Sequence, residues 1–479
     1  MSLIPHADPV PVDKLGRVHF IGIGGVGMSG IARVLLQLGA EVTGSDAKDG
    51  PLLHELEALG AATHVGHDAA HVGTADTVVV SSAVREDNPE LAEARERGLR
   101  VIPRAAALGA LLLGRRGVAV AGTHGKTTTT SMLTVVLQHA GAEPGYVIGG
   151  ALVTTGTGAD AGAGDVLVAE ADESDGSFLM LSPEIAVVTN VEADHLDNYG
   201  GLDEIHANFA AFAERVGDTL VVGVDDPGAR RVAETARGLG KRVLTYGEAA
   251  DADYRVAGIS ADGFRTAFTL SAFGGEPLPA ELAVPGRHNV LNAAAAAAVA
   301  DVLGHDTEVA LAGLASFTGA ARRFELKGEA GGVAVYDSYA HHPTEIAADL
   351  RAARAALDTR GGADAPPGRV VAVFQPHLYS RTRIFADEFA SALSLADEVV
   401  VLSIYAARED PEPGVSSELI TRGITHGRVS HEPDRAEAVA RAAAAAEPGD
   451  IVLTMGAGDV TELGPRIVEA LSALEQVGD

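Results

Sequence analysis

The stretch Gly117–Ser131, GVAVAGTHGKTTTTS, decides how the chain is read. Val118, Ala119 and Val120 form a short apolar run that breaks at Gly122. After Thr123, His124 and Gly125 come Lys126, Thr127 and a helical spacing of apolar residues at Met132, Leu133, Val135 and Val136. The pattern predicts a strand, a glycine loop, a Lys-Thr pair and a helix. Glycines let backbone N–H groups approach a phosphate chain, and a helix N-terminus adds partial positive charge. Lys126 adds a full charge, and Thr127 a hydroxyl able to hold a magnesium ion. The usual motif has glycine where Val120 stands, so the match is to a shortened form, GTHGKT. An ordinary glycine turn is the alternative, and the order of Gly, Lys and Thr between strand and helix argues against it.

Around this stretch the chain is long and acidic. Its 479 residues predict about three domains of ordinary size, each with its own core. Apolar residues make up 47% and the formal charge is −30, a globular composition that argues against binding nucleic acid or anionic membranes. Basic residues in loops therefore stand out. There is no cysteine, which excludes disulfides, thiolate catalysis and cysteine zinc sites. Pro5, Asp8, Pro9, Pro11 and Asp13 interrupt any signal-peptide pattern, and no run approaches the ~20 apolar residues of a membrane span. A cytoplasmic protein without membrane insertion is expected.

Upstream, Val18–Ile23 leads into GIGGVGMSG, in which Gly22, Gly24 and Gly27 match G-x-G-x-x-G and Asp46 ends the next predicted strand. This is the fingerprint of a dinucleotide-type loop, with a glycine turn serving only helix-sheet packing as the alternative. Further strand-helix units follow, including Thr77–Val80 running into Ser81 and Ser82. Nothing downstream suggests nicotinamide chemistry, so this part is expected to hold a nucleotide diphosphate as a handle. The domain is expected to end near Arg115, in a short basic linker over Gly114–Gly117.

Downstream, a predicted strand over Asp165–Ala169 runs into EADESDGSF, placing Glu170, Asp172, Glu173 and Asp175 together at a strand end. Carboxylates so crowded repel unless a cation sits among them, although a solvated acidic loop has the same composition. The next strand, Ile185–Asn190, delivers Asp194, His195 and Asp197. Thr127, Glu170 and His195 suit magnesium, which takes few protein ligands and completes its octahedron with phosphate oxygens and water. Farther on, Arg287, His288, Asn289 and Asn292 open a helix whose Ala293–Ala298 run allows close packing. An amide there can read an adenine edge, or Asn289 can serve as an N-cap.

A further domain is expected to begin near Arg322 and Arg323. In it four apolar runs end in YDSYAHHP, FQPHLYSRTR, SIYAARE and MGAGD, which predicts a second open α/β sheet with its polar residues on one edge. Gly361–Gly368, GGADAPPG, is expected to be a flexible surface loop. The adjacent His341 and His342 suit a ligand contact or a turn. Arg323, Arg381 and Arg383 look aimed at anions.

Taken in order, GIGGVGMSG, GTHGKTTTT, EADESD, NVEADHLD, GRHNVLN, RRFE, SYAHHPTE, FQPH and MGAGD resemble the Mur ligases from about Val18 to Val468. The GIGG-GMSG and HHP signatures resemble the branch that adds alanine to muramate and its near relatives. The resemblance implies α/β architecture in three domains. These are an N-terminal Rossmann-like UDP-sugar domain over 1–114, a central P-loop ATPase-like domain over 115–320 and a C-terminal Rossmann-like amino-acid domain over 321–479. It implies an ATP- and Mg2+-dependent ligase joining L-alanine to the lactoyl carboxylate of UDP-N-acetylmuramate through an acyl phosphate, in a monomer or homodimer.

By the same resemblance Gly122, Thr123, Gly125, Lys126, Thr127 and Thr128 hold the ATP phosphates. Thr127, Glu170 and His195 hold magnesium, and Lys126, Glu170, His195 and Arg323 are the catalytic set. Asn289 and Asn292 contact adenine, Asp337 the ribose and Arg323 the γ-phosphate. Gly24, Gly25, Gly27, Asp46, Ser81 and Ser82 surround UDP, and His341, His342, His377 and Arg381 receive alanine. The chain departs from the family pattern at Ser338, Ala340 and Leu378, where relatives carry DDYGHHP and FQPHRY, and it has no lysine over Leu196–Val216. Alternatives are a recycling ligase that adds a preformed tripeptide, and a non-catalytic UDP-sugar sensor.

Overall fold

The computed structural model describes residues 7–81, 83–196, 198–360, 368–407 and 409–478. Ser82, Asp197 and nearly all of the Gly361–Gly368 loop lie outside them. The chain forms two compact units, one of residues 1–257, 270–278 and 291–316, the other of 258–269, 279–290 and 317–479.

The first unit holds two sheets. β1 (Val18–Ile21), β2 (Val42–Asp46), β3 (Ala62–Val65), β4 (Thr77–Val80) and β5 (Arg100–Pro103) run parallel in the order β3-β2-β1-β4-β5. The order reverses at β1, and ligands of open α/β sheets sit beyond the strand ends at such a reversal. The glycine loop and Asp46 lie there. The second sheet begins with β6 (Arg116–Ala121), followed by β7 (Gly145–Val147), β8 (Ala159–Asp160), β9 (Val166–Glu170), β10 (Ile185–Val188), β11 (Thr219–Gly223) and β12 (Arg242–Gly247). β6 lies between β10 and β9, parallel to both, and all four residues of β10 are fully buried. Strands covered on both faces read as unbroken apolar runs, which is why Val118–Ala121 shows no alternation.

The expected linker over Gly114–Gly117 is shorter than the composition suggests. Arg116 and Gly117 already belong to β6, paired with Val166 and Leu167, and the Arg116 side chain is fixed 3.1 Å from Glu184. One hydrophobic cluster runs through both sheets, from Leu15 to Ala236, and helix Arg104–Leu112, buried from Ala105 onward, is part of it. β13 (Tyr254–Asp262), β14 (Arg265–Ala272) and β15 (Leu278–Leu282) are divided between the units. β13 joins β12 at Tyr246 opposite Tyr254.

The second unit carries β16 (Glu325–Ala330), β17 (Val333–Ser338), β18 (Val370–Phe374), β19 (Glu398–Val401), β20 (Val429–His431) and β21 (Ile451–Met455), in the order β16-β17-β21-β18-β19-β20. Only the β16-β17 pair is antiparallel. Val335, Val371, Val373 and Val452 face one core and Tyr336, Phe374, Leu453 and Met455 the other, the period-two division of a doubly covered sheet. The four predicted strand ends are the adjacent strands β17, β21, β18 and β19, so their loops emerge from one edge.

Candidate active site

β6 ends at Ala121, and the chain turns through Gly122–Gly125 into helix Lys126–His139. The turn is clamped from β10's end. Thr123 N donates to Asn190 O, His124 N to Asn190 Oδ1 at 2.8 Å, and Thr189 Oγ1 to His124 O at 2.6 Å. Gly122 has φ +132 and its Cα lies so close to Thr189 that a Cβ would meet the threonine hydroxyl. Only glycine combines that dihedral with that approach. Asn292 Oδ1 would lie 2.6 Å from a Cβ on Gly125, so the predicted adenine reader packs directly on the loop.

Lys126 is the centre of this arrangement. Its Nζ donates to Gly122 O at 2.7 Å, Thr123 O at 3.0 Å and Glu173 Oε1 at 2.9 Å, which uses all three ammonium donors. Burial pulls the ammonium down, but Glu173, Glu170 and Asp172 outweigh it and hold Lys126 above its ordinary value. Burial pushes the Glu173 carboxyl up to about 7, with Lys126 pulling the other way.

The four clustered acids have four different partners. Glu170 accepts from Thr127 Oγ1 at 3.1 Å and from Gly149 N at 2.8 Å, placing a hydroxyl and a carboxylate side by side at the helix start. Asp172 pairs with Arg104 at 2.7 Å, and against the effect of its burial Arg104 and Lys126 keep it far below the usual carboxylate range. Glu173 carries Lys126, and Asp175 caps Ser177 N at 2.9 Å. His195 has φ +53, strained for a residue with a side chain, and its Nε2 lies 3.9 Å from Glu173 Oε1 and 3.7 Å from Asp194 Oδ2. Thr127 and Glu170 thus meet the oxygen chemistry of a hard divalent cation, with His195 on the Glu173 side of the cluster. Thr128 is buried within the helix.

In the first sheet, Asp46 Oδ2 accepts from Gly24 N at 2.9 Å, and Gly25 is the N-cap of helix Val26–Gln37. A Cβ on Gly27 would run into the Arg104 guanidinium, so one arginine touches the glycine loop and also binds Asp172. Sequence reasoning passed over Arg104, and its only signal was a basic residue directly after the β5 strand end. Ser81 caps Ala83 N at 3.2 Å, and Ser82 lies outside the described residues.

In the second unit Asn289 sits in the first turn of helix Arg287–Val302, inside it and not at its N-cap, and its amide donates to Pro285 O at 2.7 Å. Asp337 is fully buried and turned inward. It takes Arg322, just before β16, at 3.1 Å, Thr454 of β21 at 2.7 Å and Thr461, in the turn after β21, at 2.8 Å. Arg322 and Arg323 each place the guanidinium carbon 4.9 Å from the Tyr339 ring centre. His341 and His377 have ring centres 6.1 Å apart, whereas His342 packs edge-on against Phe385 at 5.1 Å. Glu345 accepts from the backbone N–H of both His341 and His342, at 3.0 and 3.3 Å, so the pair also forms the turn into helix Pro343–Arg360. Arg381, 6% exposed, lies in helix Tyr379–Ile384 beyond β18. Ser338, where relatives carry an acid, donates to Asp349, which burial pushes up to about 7.

Family models match most of the chain. The Mur ligase family catalytic domain covers residues 17–116, the Mur ligase middle domain 120–300 and the Mur ligase glutamate ligase domain 322–458. The chain is 74% identical to the UDP-N-acetylmuramate–L-alanine ligase of Thermobifida fusca, over 98% of this chain and 100% of that one. It is 56% identical to the ligase of the same name from Kineococcus radiotolerans, over 96% and 97%. Among solved structures, the UDP-N-acetylmuramate-alanine ligase of Thermotoga maritima superposes with a TM-score of 0.78 at 29% identity, covering 97% of this chain and 100% of that one. A murein peptide ligase from Psychrobacter arcticus gives 0.69 at 28% identity, covering 95% and 99%. With the clamped glycine loop, the acid cluster and three parallel-rich sheets in one chain, these matches make it a member of the Mur ligase family.

Proposed function

We propose that this protein joins L-alanine to the lactoyl carboxylate of UDP-N-acetylmuramate with hydrolysis of ATP to ADP and phosphate, in the cytoplasmic synthesis of peptidoglycan precursors. The observation that carries this reading is the 74% identity, over the full length of the relative, to a UDP-N-acetylmuramate–L-alanine ligase.

A carboxylate is a poor electrophile, so a carboxylate oxygen first attacks the γ-phosphorus and ADP leaves. The amine of alanine then attacks the acyl carbon, phosphate departs, and the amine loses its proton. The first step brings two anions together, and positive charge fixed in advance lowers that barrier. Lys126 is the charge held at the loop, supported by backbone N–H groups of Gly125 to Thr128. Thr127 and Glu170, with His195, would hold Mg2+, which supplies charge neutralisation to the phosphates when bound. Gly24, Gly25, Gly27, Asp46 and Ser81 are assigned to UDP. Following the family, Arg323 is assigned to the γ-phosphate, Asn289 and Asn292 to adenine, and His341, His342, His377 and Arg381 to alanine. Asp337 is assigned to the ribose. The domain division at 114/115 and 320/321 allots UDP-sugar, ATP and amino acid to successive domains.

The test is phosphate release with UDP-N-acetylmuramate and ATP, adding L-alanine, glycine, L-serine or the preformed tripeptide one at a time. Release with L-alanine well above the others is expected. Preference for the tripeptide, or no release with any acceptor, refutes the reading.

A further inference from the structure

A buried carboxylate on a helix beside the first sheet has no part in the chemistry above. Glu90 is the second residue of helix Pro89–Glu96 and its side chain is 0% exposed. Its oxygens accept from Ser45 Oγ at 2.5 Å, from His67 Nδ1 at 3.2 Å and from His71 Nδ1 at 3.1 Å. Fully buried His19 points Nε2 at the same carboxylate from 3.8 Å and gives that nitrogen no hydrogen-bond partner, while its Nδ1 meets Thr43 Oγ1 at 2.8 Å. Burial would push Glu90 up, yet His19, Ser45 and His71 hold it at about 2. An ionised carboxylate only accepts, so His67 and His71 are in the Nδ1–H form. A buried charge with this many donors rigidifies what it holds.

What it holds leads to the glycine loop. Ser45 is the last residue of β2 before Asp46. Its carbonyl accepts from Gly22 N at 2.8 Å and from Ile23 N at 3.0 Å, while the next side chain, Asp46, takes Gly24 N. Gly66 N donates to Asp46 O at 2.7 Å, and the following residue, His67, reaches both Ser45 Oγ at 3.0 Å and Glu90. One carboxylate therefore faces β1, the end of β2, the turn after β3 and the helix after β4, and it reaches the loop directly through Ser45 and less directly through His67, whose neighbour Gly66 donates to Asp46 O. The Ser45 carbonyl is committed to the loop, and its hydroxyl is the side-chain group that reaches Glu90.

We propose that Glu90 is a positioning residue for UDP-sugar binding, fixing Ser45 and with it the Gly22–Gly24 turn and Asp46 from beneath. This rests on the assignment of that loop to UDP. Glu90 touches no ligand. Its effect belongs to the UDP-sugar alone, since the phosphate loop at Gly122–Lys126 is held by its own clamp from Thr189 and Asn190.

The experiment compares Glu90→Gln, Ser45→Ala and the double variant, in the full chain, by calorimetric titration with UDP-N-acetylmuramate and with ATP. Glu90→Gln keeps the shape and removes the charge, and Ser45→Ala cuts the link while leaving the β2 backbone intact. Each is expected to weaken UDP-sugar binding about tenfold, with ATP affinity within twofold of wild type. Because Ser45→Ala removes part of what Glu90→Gln disturbs, the double variant is expected to equal the weaker-binding single variant and not their product. Unchanged UDP-sugar affinity in Ser45→Ala, effects that multiply, or equal loss of ATP affinity each overturn the proposal. If Glu90→Gln does not fold, Ser45→Ala alone decides. Failure of the wild-type protein to bind UDP-N-acetylmuramate overturns the ligand assignment itself, which separates the two failures.

Discussion

Replacing Lys126 by alanine tests whether the loop lysine serves chemistry, stability or both. The Lys126 and Glu173 side chains are 15% and 4% exposed and 2.9 Å apart, so the substitution strands a buried carboxylate beside Asp172. Removing one partner of a buried pair costs ~3–5 kcal/mol when the survivor stays charged. Glu173 has another course. Its folded pKa is already raised from 4.5 to about 7, and losing Lys126 raises it further. A carboxyl with a raised folded pKa binds its proton more tightly when folded. Protonation therefore stabilises the fold as pH falls through the folded value, and the penalty of the charge is greatest above it. At pH 8, between the wild-type value and the higher value of the variant, the deficit is expected to exceed that at pH 6 by about 1 kcal/mol, close to one pH unit of linkage. At pH 6 the neutral carboxyl lacks only its donor, and the loss shrinks to ~1–3 kcal/mol. Urea unfolding at the two pH values, with nucleotide absent, measures both. Lys126→Ala/Glu173→Gln should recover most of the stability at pH 8, while alanine-dependent ADP release stays on the order of 10²–10³-fold down in both variants. A single variant as stable as wild type at pH 8, a deficit that does not shrink at pH 6, or activity restored in the double variant would refute the reasoning.

Gly122→Ala combines a left-handed φ of +132 with a Cβ driven into Thr189, 2.9 Å from its backbone N. Strain and overpacking together predict a loss of about 2–5 kcal/mol in chemical denaturation and a matching loss of ATP affinity in titration. A variant of wild-type stability would show that the clamp yields. In the second unit, Asp349 is raised from 3.8 to about 7 by burial, so its stabilising protonation is complete below 3.8 and lost as pH rises through 7. Asp349→Asn removes that dependence, and unfolding measurements should show the variant gaining on wild type from pH 4 to pH 7 and levelling off above. Parallel profiles would contradict the buried, proton-holding environment.

The linear chain carried the local elements and the family. A glycine loop between an apolar β-branched run and a helix is specified within Gly117–Ser131, because such a turn needs only adjacent residues with the right dihedral freedom and charge. The same holds for Gly22–Gly27 with its helix, and for the four strand ends of the last sheet. These are local facts, and the structure keeps them with shifts of a residue or two, as at Arg116.

Partnerships were another matter. Glu173 was one of four crowded acids in the sequence, and only packing made it the counter-ion of Lys126 while Asp172 went to Arg104, 68 residues away. Asp337 turned inward to Arg322 and Thr454, and Ser338 found Asp349 on a helix that follows it. Glu90 drew its donors from three separate elements. A parallel sheet sets distant strand ends side by side, and which charge faces which is settled by desolvation and side-chain direction once they meet. Sequence alone determined that there would be two glycine loops, each between a strand and a helix on an α/β sheet; tertiary structure decided which residues hold those loops in shape, because the cost of burying a polar group depends on neighbours that exist only after folding.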